Sequence, residues 1–303
     1  MGKATLSFGP RKRVFNTTPE RQLDTFAFAI VLIAALLHAA WNSVVKAQPA
    51  RLPFIALLAS IASVGSGFAI PFVPVPSPAA WPYIATSAIL ISCHWLFLAQ
   101  AYRHGDLSHV YPIARGVVPL LVAVFSVTVV GETLTGQGFF AIMVIGLGIM
   151  SLALTKGVNG IFEKRAVFYA LGTGSFTAAH SLVDGLGARL AGTPHGYILW
   201  LFLFAGIPVT LIALCVERDE TLRVFRQDWK LGLAGALPML ANYWLVVWAF
   251  TLAPIAFVAA LRETGIVFAV LIGTFILKEK LNLTRVVATI ATLIGVVMIK
   301  IHV

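Results

Sequence analysis

Arg115, Glu132 and Gly148 recur in this chain as Arg262, Glu279 and Gly295, each 147 residues later. Leu134 and Ala141 keep the same step to Leu281 and Ala288. Upstream, His94, Trp95, Ala101 and Tyr102 answer to Asn242, Tyr243, Ala249 and Phe250 at a step of 148. The step is close to half of the 303 residues, so the chain reads as a duplicated unit.

The unit is built for a bilayer. Apolar segments of about 20 residues follow one another with little between them, each long enough for ~30 Å of hydrocarbon. Charged residues make up only 11% of the chain, where soluble domains carry about 25%. Hydropathy predicts spans near 24–46, 53–73, 80–103, 107–131, 136–155, 166–188, 196–216, 231–251, 254–278 and 283–301. The expectation is an all-α membrane protein with ten transmembrane helices. Its two five-helix repeats are 24–155 and 166–301, preceded by a basic tail over 1–23. Five is odd, so the second repeat enters the membrane from the opposite side, and the repeats are inverted about an axis in the membrane plane. Such folds place their site near the midplane, between the repeats.

The net charge of +10 does not point to nucleic acid. The basic residues lie mainly in the tail and short loops, where headgroups and orientation account for them. Loops joining spans 1–2, 3–4, 5–6, 7–8 and 9–10 carry 13 Lys/Arg, and the termini and other loops carry 7, five of them in the tail. The loops thus favour termini outside, and the tail favours termini inside. Arg11-Lys12-Arg13 ahead of an apolar run resembles a signal peptide, but the run continues through Trp41 to Val45, so a retained first helix is expected. Cys93 and Cys215 form no pair and imply no disulfide or metal framework. His104, Asp106 and His109 lack a fourth ligand, and no metal or cofactor is expected. Without a P-loop, nucleophile elbow or H-E-x-x-H, neither ATP-driven transport nor hydrolysis has support, and the chain is read as a non-enzyme.

Polar residues inside apolar spans select the candidate site, because each costs free energy unless it faces a bundle interior or a water-filled cavity. His38, Asn42 and Lys46 are four apart on the first span and form one stripe. Arg115 and Arg262 each lie eight residues into their spans, about 12 Å along a helix. Because those spans start on opposite sides, both guanidiniums arrive near the midplane. An arginine there suits carboxylate, phosphate or phosphonate oxygens; the competing reading is an internal salt bridge. His94 with Trp95, and Asn242 with Tyr243, offer hydrogen bonds beside flat aromatic faces. His180 and Asp184, four apart, can hydrogen-bond along the sixth span. Glu263, next to Arg262 but about 100° round a helix, and His38 are the proton-coupling candidates. Glu132 and Glu279 close their spans at the end where the helix dipole disfavours an acid. They are expected to bond backbone donors of the following loop.

The polar run His38-Ala39-Ala40-Trp41-Asn42, the string Gly131-Glu132-Thr133-Leu134-Thr135 and its echo Lys278-Glu279-Lys280-Leu281-Asn282 resemble the EamA-like, ten-span members of the drug/metabolite transporter superfamily. The resemblance covers both repeats. It implies secondary transport of small metabolites, often export, with a proton or exchange partner, and both termini, with the tail, in the cytoplasm. Organophosphate-exchanging relatives resemble the chain in placing basic residues on the fourth and ninth spans, but Glu263 stands where a second basic residue beside Arg262 would be. The combined expectation is an exporter or exchanger in the bacterial inner membrane for a small anionic or zwitterionic metabolite: an amino acid, organic acid or phosphonate. Arg115, Arg262, His94, Asn242, Trp95, Tyr243, His38 and Asn42 would bind it, and protons or a counter-substrate would drive it. Efflux of lipophilic cations is the alternative; it wants a membrane-embedded acid without nearby arginine.

Overall fold

The computed structural model describes residues 24–46, 48–104, 107–154, 163–275 and 283–302. Its described residues are helical apart from short connections. The helices are α1 (Thr25–Lys46), α2 (Arg51–Ala69), α3 (Trp81–His104), α4 (Leu107–Phe125), α5 (Gly136–Met150), α6 (Lys164–Leu190), α7 (Pro194–Val216), α8 (Arg218–Gln227), α9 (Trp229–Leu252), α10 (Ile255–Arg262), α11 (Gly265–Phe275) and α12 (Leu283–His302). Side chains start several of them. Asp24 accepts from the Ala27 amide (2.6 Å), Thr135 from Gly138 (3.0 Å) and Thr193 from Gly196 (3.2 Å), satisfying donors with no partner inside their own helix. After α4 the helix widens into a π turn over Ser126–Val130, which Gly131 ends at φ 80°, a conformation that favours glycine.

Seven described segments are long and apolar enough to cross a bilayer: Thr25–Val45, Arg51–Phe72, Pro78–Ala101, Val110–Val130, Pro194–Val216, Trp229–Leu252 and Leu283–Ile301. Large apolar side chains such as Phe68, Val129 and Leu237 stand exposed on the outside of the bundle, as lipid contact requires. The chain is an integral membrane protein. Three of the ten expected spans differ from a long uninterrupted apolar helix. α5 is apolar but short, tightening into a 3-10 turn over Ser151–Leu154. α6 carries His180, Asp184 and Arg189 among many small and hydroxyl residues. The ninth breaks at Glu263 and Thr264, between α10 and α11. The basic tail, Asp106 and the 278–282 string with Glu279 lie outside the described residues.

The main helix pairings all join the first half of the chain to the second: α3 with α6, α1 with α9, α2 with α7, and α5 with α12. Exchanging α1–α5 for α6, α7, α9, α10/α11 and α12 maps these pairings onto themselves. It also maps α4·α6 onto α1·α10 and α1·α11, and α3·α7 onto α2·α9. Small residues permit the close approach. A Cβ on Gly148 of α5 would lie 2.6 Å from the Ala291 Cβ of α12, and one on Gly174 of α6 would lie 2.6 Å from the Ala114 carbonyl of α4. Between α2 and α7 the contacts include Ser60 with Thr210 (2.7 Å) and Ser63 donating to the Leu203 carbonyl (2.8 Å).

At one end of the bundle, four helix termini are tied through two side chains. Glu132, just past the π turn, accepts from the Ile255 and Ala256 amides that open α10 (2.9 and 3.4 Å). Arg189, near the end of α6, donates to Glu132 (2.8 Å) and to the Phe250 and Ala253 carbonyls that close α9 (2.8 and 3.0 Å). Glu132 therefore does bond backbone donors, but those of the opposite half rather than of its own following loop. The acid disfavoured at the end of its own helix meets the positive end of another.

Candidate functional site

A cavity of about 110 Å³ opens between the halves, walled by α1, α2, α3, α4, α6, α7, α9 and α10. A single water needs only about 10–15 Å³ by such a measure, so the space suits a small molecule or a cluster of waters. All eight residues singled out in the sequence as substrate-binding candidates line it: His38, Asn42, His94, Trp95, Arg115, Asn242, Tyr243 and Arg262. Trp41, Tyr111, Thr173, Thr177, His180 and Phe202 share the wall. Glu263 is not among the lining residues and is 2% exposed behind it.

The two arginines converge on that glutamate. Arg115 Nε lies 2.9 Å from Glu263 Oε2, and Arg262 Nη2 lies 3.7 Å from Oε1. Helix geometry alone would turn Glu263 about 100° away from Arg262, but α10 ends at Arg262. The Glu263 amide closes back on the Ala260 and Leu261 carbonyls, and Thr264 Oγ donates to the Leu261 carbonyl (2.7 Å). The break lets one carboxylate sit between guanidiniums from α4 and α10. The junction is not saturated: Arg262 Nε and Nη2 and Glu263 Oε1 are buried without a hydrogen-bond partner. Buried charged groups in that condition are expensive. Tyr111, one turn before Arg115, hydrogen-bonds its guanidinium.

Around the arginines runs an aromatic wall. Trp41 meets Trp95 edge-on at 5.9 Å, His38 meets Trp41 at 5.3 Å, and Phe202 meets Tyr243 at 5.1 Å. The imidazoles are oriented from behind. Thr177 gives its hydroxyl proton to the Thr173 carbonyl (2.9 Å), so His94 Nδ1 is the donor to Thr177 Oγ (2.8 Å) and to Thr173 O (3.3 Å). His94 Nε2 is then left as an acceptor. With its nitrogen on the Ala34 carbonyl (2.9 Å), the Asn242 amide meets His38 Nδ1 through its other arm at 3.4 Å. Asn42 donates to the His38 carbonyl along its own helix (2.8 Å).

Behind Tyr243 and His180 lies a second polar centre. Asp184, 1% exposed, accepts from the Tyr197 hydroxyl at Oδ1 (2.9 Å). At Oδ2 it accepts from the Tyr243 hydroxyl and from His180 Nδ1 (3.3 Å). The sequence anticipates the His180–Asp184 bond but not the two tyrosines, nor that His180 reaches the cavity. A repeat signal was available: His38 and Asn42 become His180 and Asp184 at a step of 142 (180 − 38 = 184 − 42 = 142). His104, considered above with Asp106 and His109, stacks on Tyr169 (5.6 Å) and pairs with Glu163 (3.5 Å).

Residues 164–301 match the model of the EamA-like transporter family. No curated protein matches the chain. The crystal structure of another protein, 14% identical, superposes with a TM-score of 0.71 over 90% of this chain and 96% of its own, which speaks for the fold alone. By the family match, the second half of the chain, residues 164–301, is that of an EamA-like membrane transporter.

Proposed function

We propose that this protein is a secondary transporter, an exporter or exchanger, for a small anionic or zwitterionic metabolite: an amino acid, an organic acid or a phosphonate. The observation that carries the reading is Arg262, buried in the cavity wall with two nitrogens lacking hydrogen-bond partners and a second arginine across Glu263. Arginine presents a planar fork of donors that fits carboxylate and phosphonate oxygens. In the empty carrier Glu263 stands in for the anion, and an arriving substrate competes with it for the guanidiniums. The aromatic wall contacts the rest of the substrate, and His94, His38 and Asn242 supply orienting hydrogen bonds. Lipophilic-cation efflux is disfavoured, because the charges lining the cavity are basic, Glu263 between them is already paired, and Asp184 lies behind Tyr243 and His180 rather than in the lining.

The architecture in this reading is ten spans in two inverted repeats, 24–155 and 166–301. Its support is the exchange of halves that preserves the helix pairings. The broken ninth span supplies the discontinuous helix on which transporters of this kind hold ligands. The cavity lies toward the end where α1 and α3 finish, while the Glu132–Arg189 tie closes the other end, where the termini lie. Transport alternates the two. The protein sits in a bacterial inner membrane with both termini in the cytoplasm.

The test is flux in proteoliposomes with labelled alanine, succinate and 2-aminoethylphosphonate, beside the lipophilic cation tetraphenylphosphonium. At least one of the first three should move, and Arg262→Ala should weaken its binding by about 10- to 100-fold. That range follows from the ~1.5–3 kcal/mol of a hydrogen bond to a charged group. Tetraphenylphosphonium moving while all three anions or zwitterions stay outside would sink the proposal.

A further inference from the structure

We propose that Asp184, held by His180, Tyr197 and Tyr243 behind the cavity, is the group that binds a proton and carries it across together with each substrate anion. The inference rests on the anion-transport reading above and replaces Glu263 and His38 as the coupling groups.

Three observations carry it. The first is charge. Arg115, Arg262, Glu263 and Asp184 cluster at the cavity and sum to zero with the histidines neutral (+2 − 2). A bound monoanion leaves this group at −1 inside the bilayer, where net charge is disfavoured. One proton restores neutrality. Glu263 is poorly placed to take it, since one of its oxygens is 2.9 Å from Arg115 Nε and the other faces Arg262. Among the described residues Asp184 touches no Lys or Arg directly; its neighbours are two hydroxyls and an imidazole.

The second is connection. An ionised carboxylate only accepts hydrogen bonds, and once protonated it has a donor of its own. Asp184 now accepts from three groups. A proton on Oδ2 forces the Tyr243 hydroxyl or His180 Nδ1 to release it, and both of those residues line the cavity. Proton binding therefore rewrites the hydrogen-bonding face that the substrate meets.

The third is the repeat. The position matching Asp184 at the step of 142 is Asn42, beside His38 as Asp184 is beside His180. The fold accommodates an amide there in one half, so the acid in the other is not demanded by packing.

The groups facing Asp184 and its partners come from every helix packed on α6. Tyr197 of α7, Tyr243 of α9 and Arg262 of α10 act on Asp184 itself, while Tyr83 and His94 of α3 and Arg115 of α4 act on its partners Tyr197 and His180. On α6 itself they are His180 and, beyond it, Arg189, which is paired to Glu132.

The test has two arms. In infrared titration of the purified protein, which needs no substrate, a protonated-carboxyl stretch should grow as pH falls and remain in the parent-minus-Asp184→Asn difference spectrum, where the other carboxyls cancel. In proteoliposomes, using whichever of the anions succinate and 2-aminoethylphosphonate the parent moves, acidifying the substrate-loaded side should speed net flux. Asp184→Asn should lose that stimulation entirely and keep substrate-for-substrate exchange. A parent-minus-variant difference spectrum without a carboxyl band overturns the assignment, as does undiminished stimulation, or stimulation by acid on the opposite side. Should Asp184→Asn fail to fold, Tyr197→Phe keeps the acid and removes one of its hydrogen bonds. The band must then shift in frequency, and an unmoved band overturns the proposal. If the parent moves none of alanine, succinate and 2-aminoethylphosphonate, the transport reading fails while the infrared arm still decides the proton site.

Discussion

Arg189→Ala should unlock one end of the bundle. The guanidinium makes an ion pair with Glu132 and two bonds to the last carbonyls of α9, with side-chain exposures of 17% and 10% for the pair. Breaking a buried pair costs about 3–5 kcal/mol. Glu132 keeps its two amide donors at the start of α10, so the low end of that range, about 3 kcal/mol, applies. If the tie forms only while that end is closed, the closed form loses on the order of 100-fold against the open one. The reporter is a single cysteine at Ser87, fully buried on α3 between the tied end and the cavity-lining His94, in a background without Cys93 and Cys215. A membrane-impermeant maleimide added from that end should label it much faster in Arg189→Ala, and Arg189→Lys should restore part of the protection. A variant that melts earlier but labels at the parental rate would show that the tie is present in both states, and the gating argument would fail.

Other expectations are simpler. Gly148→Ala puts a methyl against Ala291 on a rigid backbone and should destabilise by about 1–3 kcal/mol in thermal melts. Gly65→Ala, with open space around it, should be neutral or stabilising by up to ~1 kcal/mol. On α8, outside the bilayer, the hydrogen bond from Arg223 holds the Glu220 carboxyl below the usual carboxylate range. That pair should persist above the range and be lost as pH falls through the lowered value; carbon NMR of labelled glutamate should show normal titration in Arg223→Ala. A fluorescent protein fused to the C-terminus should glow, and a dark fusion with an active phosphatase fusion would place the termini outside.

The membrane class and the lining of the cavity were legible because burying polar side chains in hydrocarbon is expensive. Only a shared interior excuses His38, His94, Arg115, Asn242 and Arg262, and the cavity gathers them. The break at Glu263 was not legible. Arg262-Glu263-Thr264-Gly265 lacks proline, and Gly265 is the sole local hint. The interruption follows from tertiary demand, since a continuous helix would point the acid away from Arg262. Nor could the chain announce that Glu132 reaches into the other half, because that partner is set by helix ends more than 50 residues away (189 − 132 = 57). The His38/His180 correspondence was hidden by an insertion. The step is 143 from the start of α2 to that of α7 (194 − 51) but 148 from α3 to α9 (229 − 81), with α8 in between.

Because every main helix pairing crosses between the halves, the molecule has no part that is finished early. A chain emerging from the ribosome, at about 5–20 residues per second, inserts α1 to α5 with their partners in the second half still unmade, only α4 and α5 packing extensively on each other. The inner faces of those helices must wait in lipid or against the insertion machinery. α5 is covered last, since its glycine face at Gly148 meets α12, the final helix of the described chain. The first half is thus an unsaturated surface for the whole time the second is being synthesised, and assembly is completed by its last helix rather than its first.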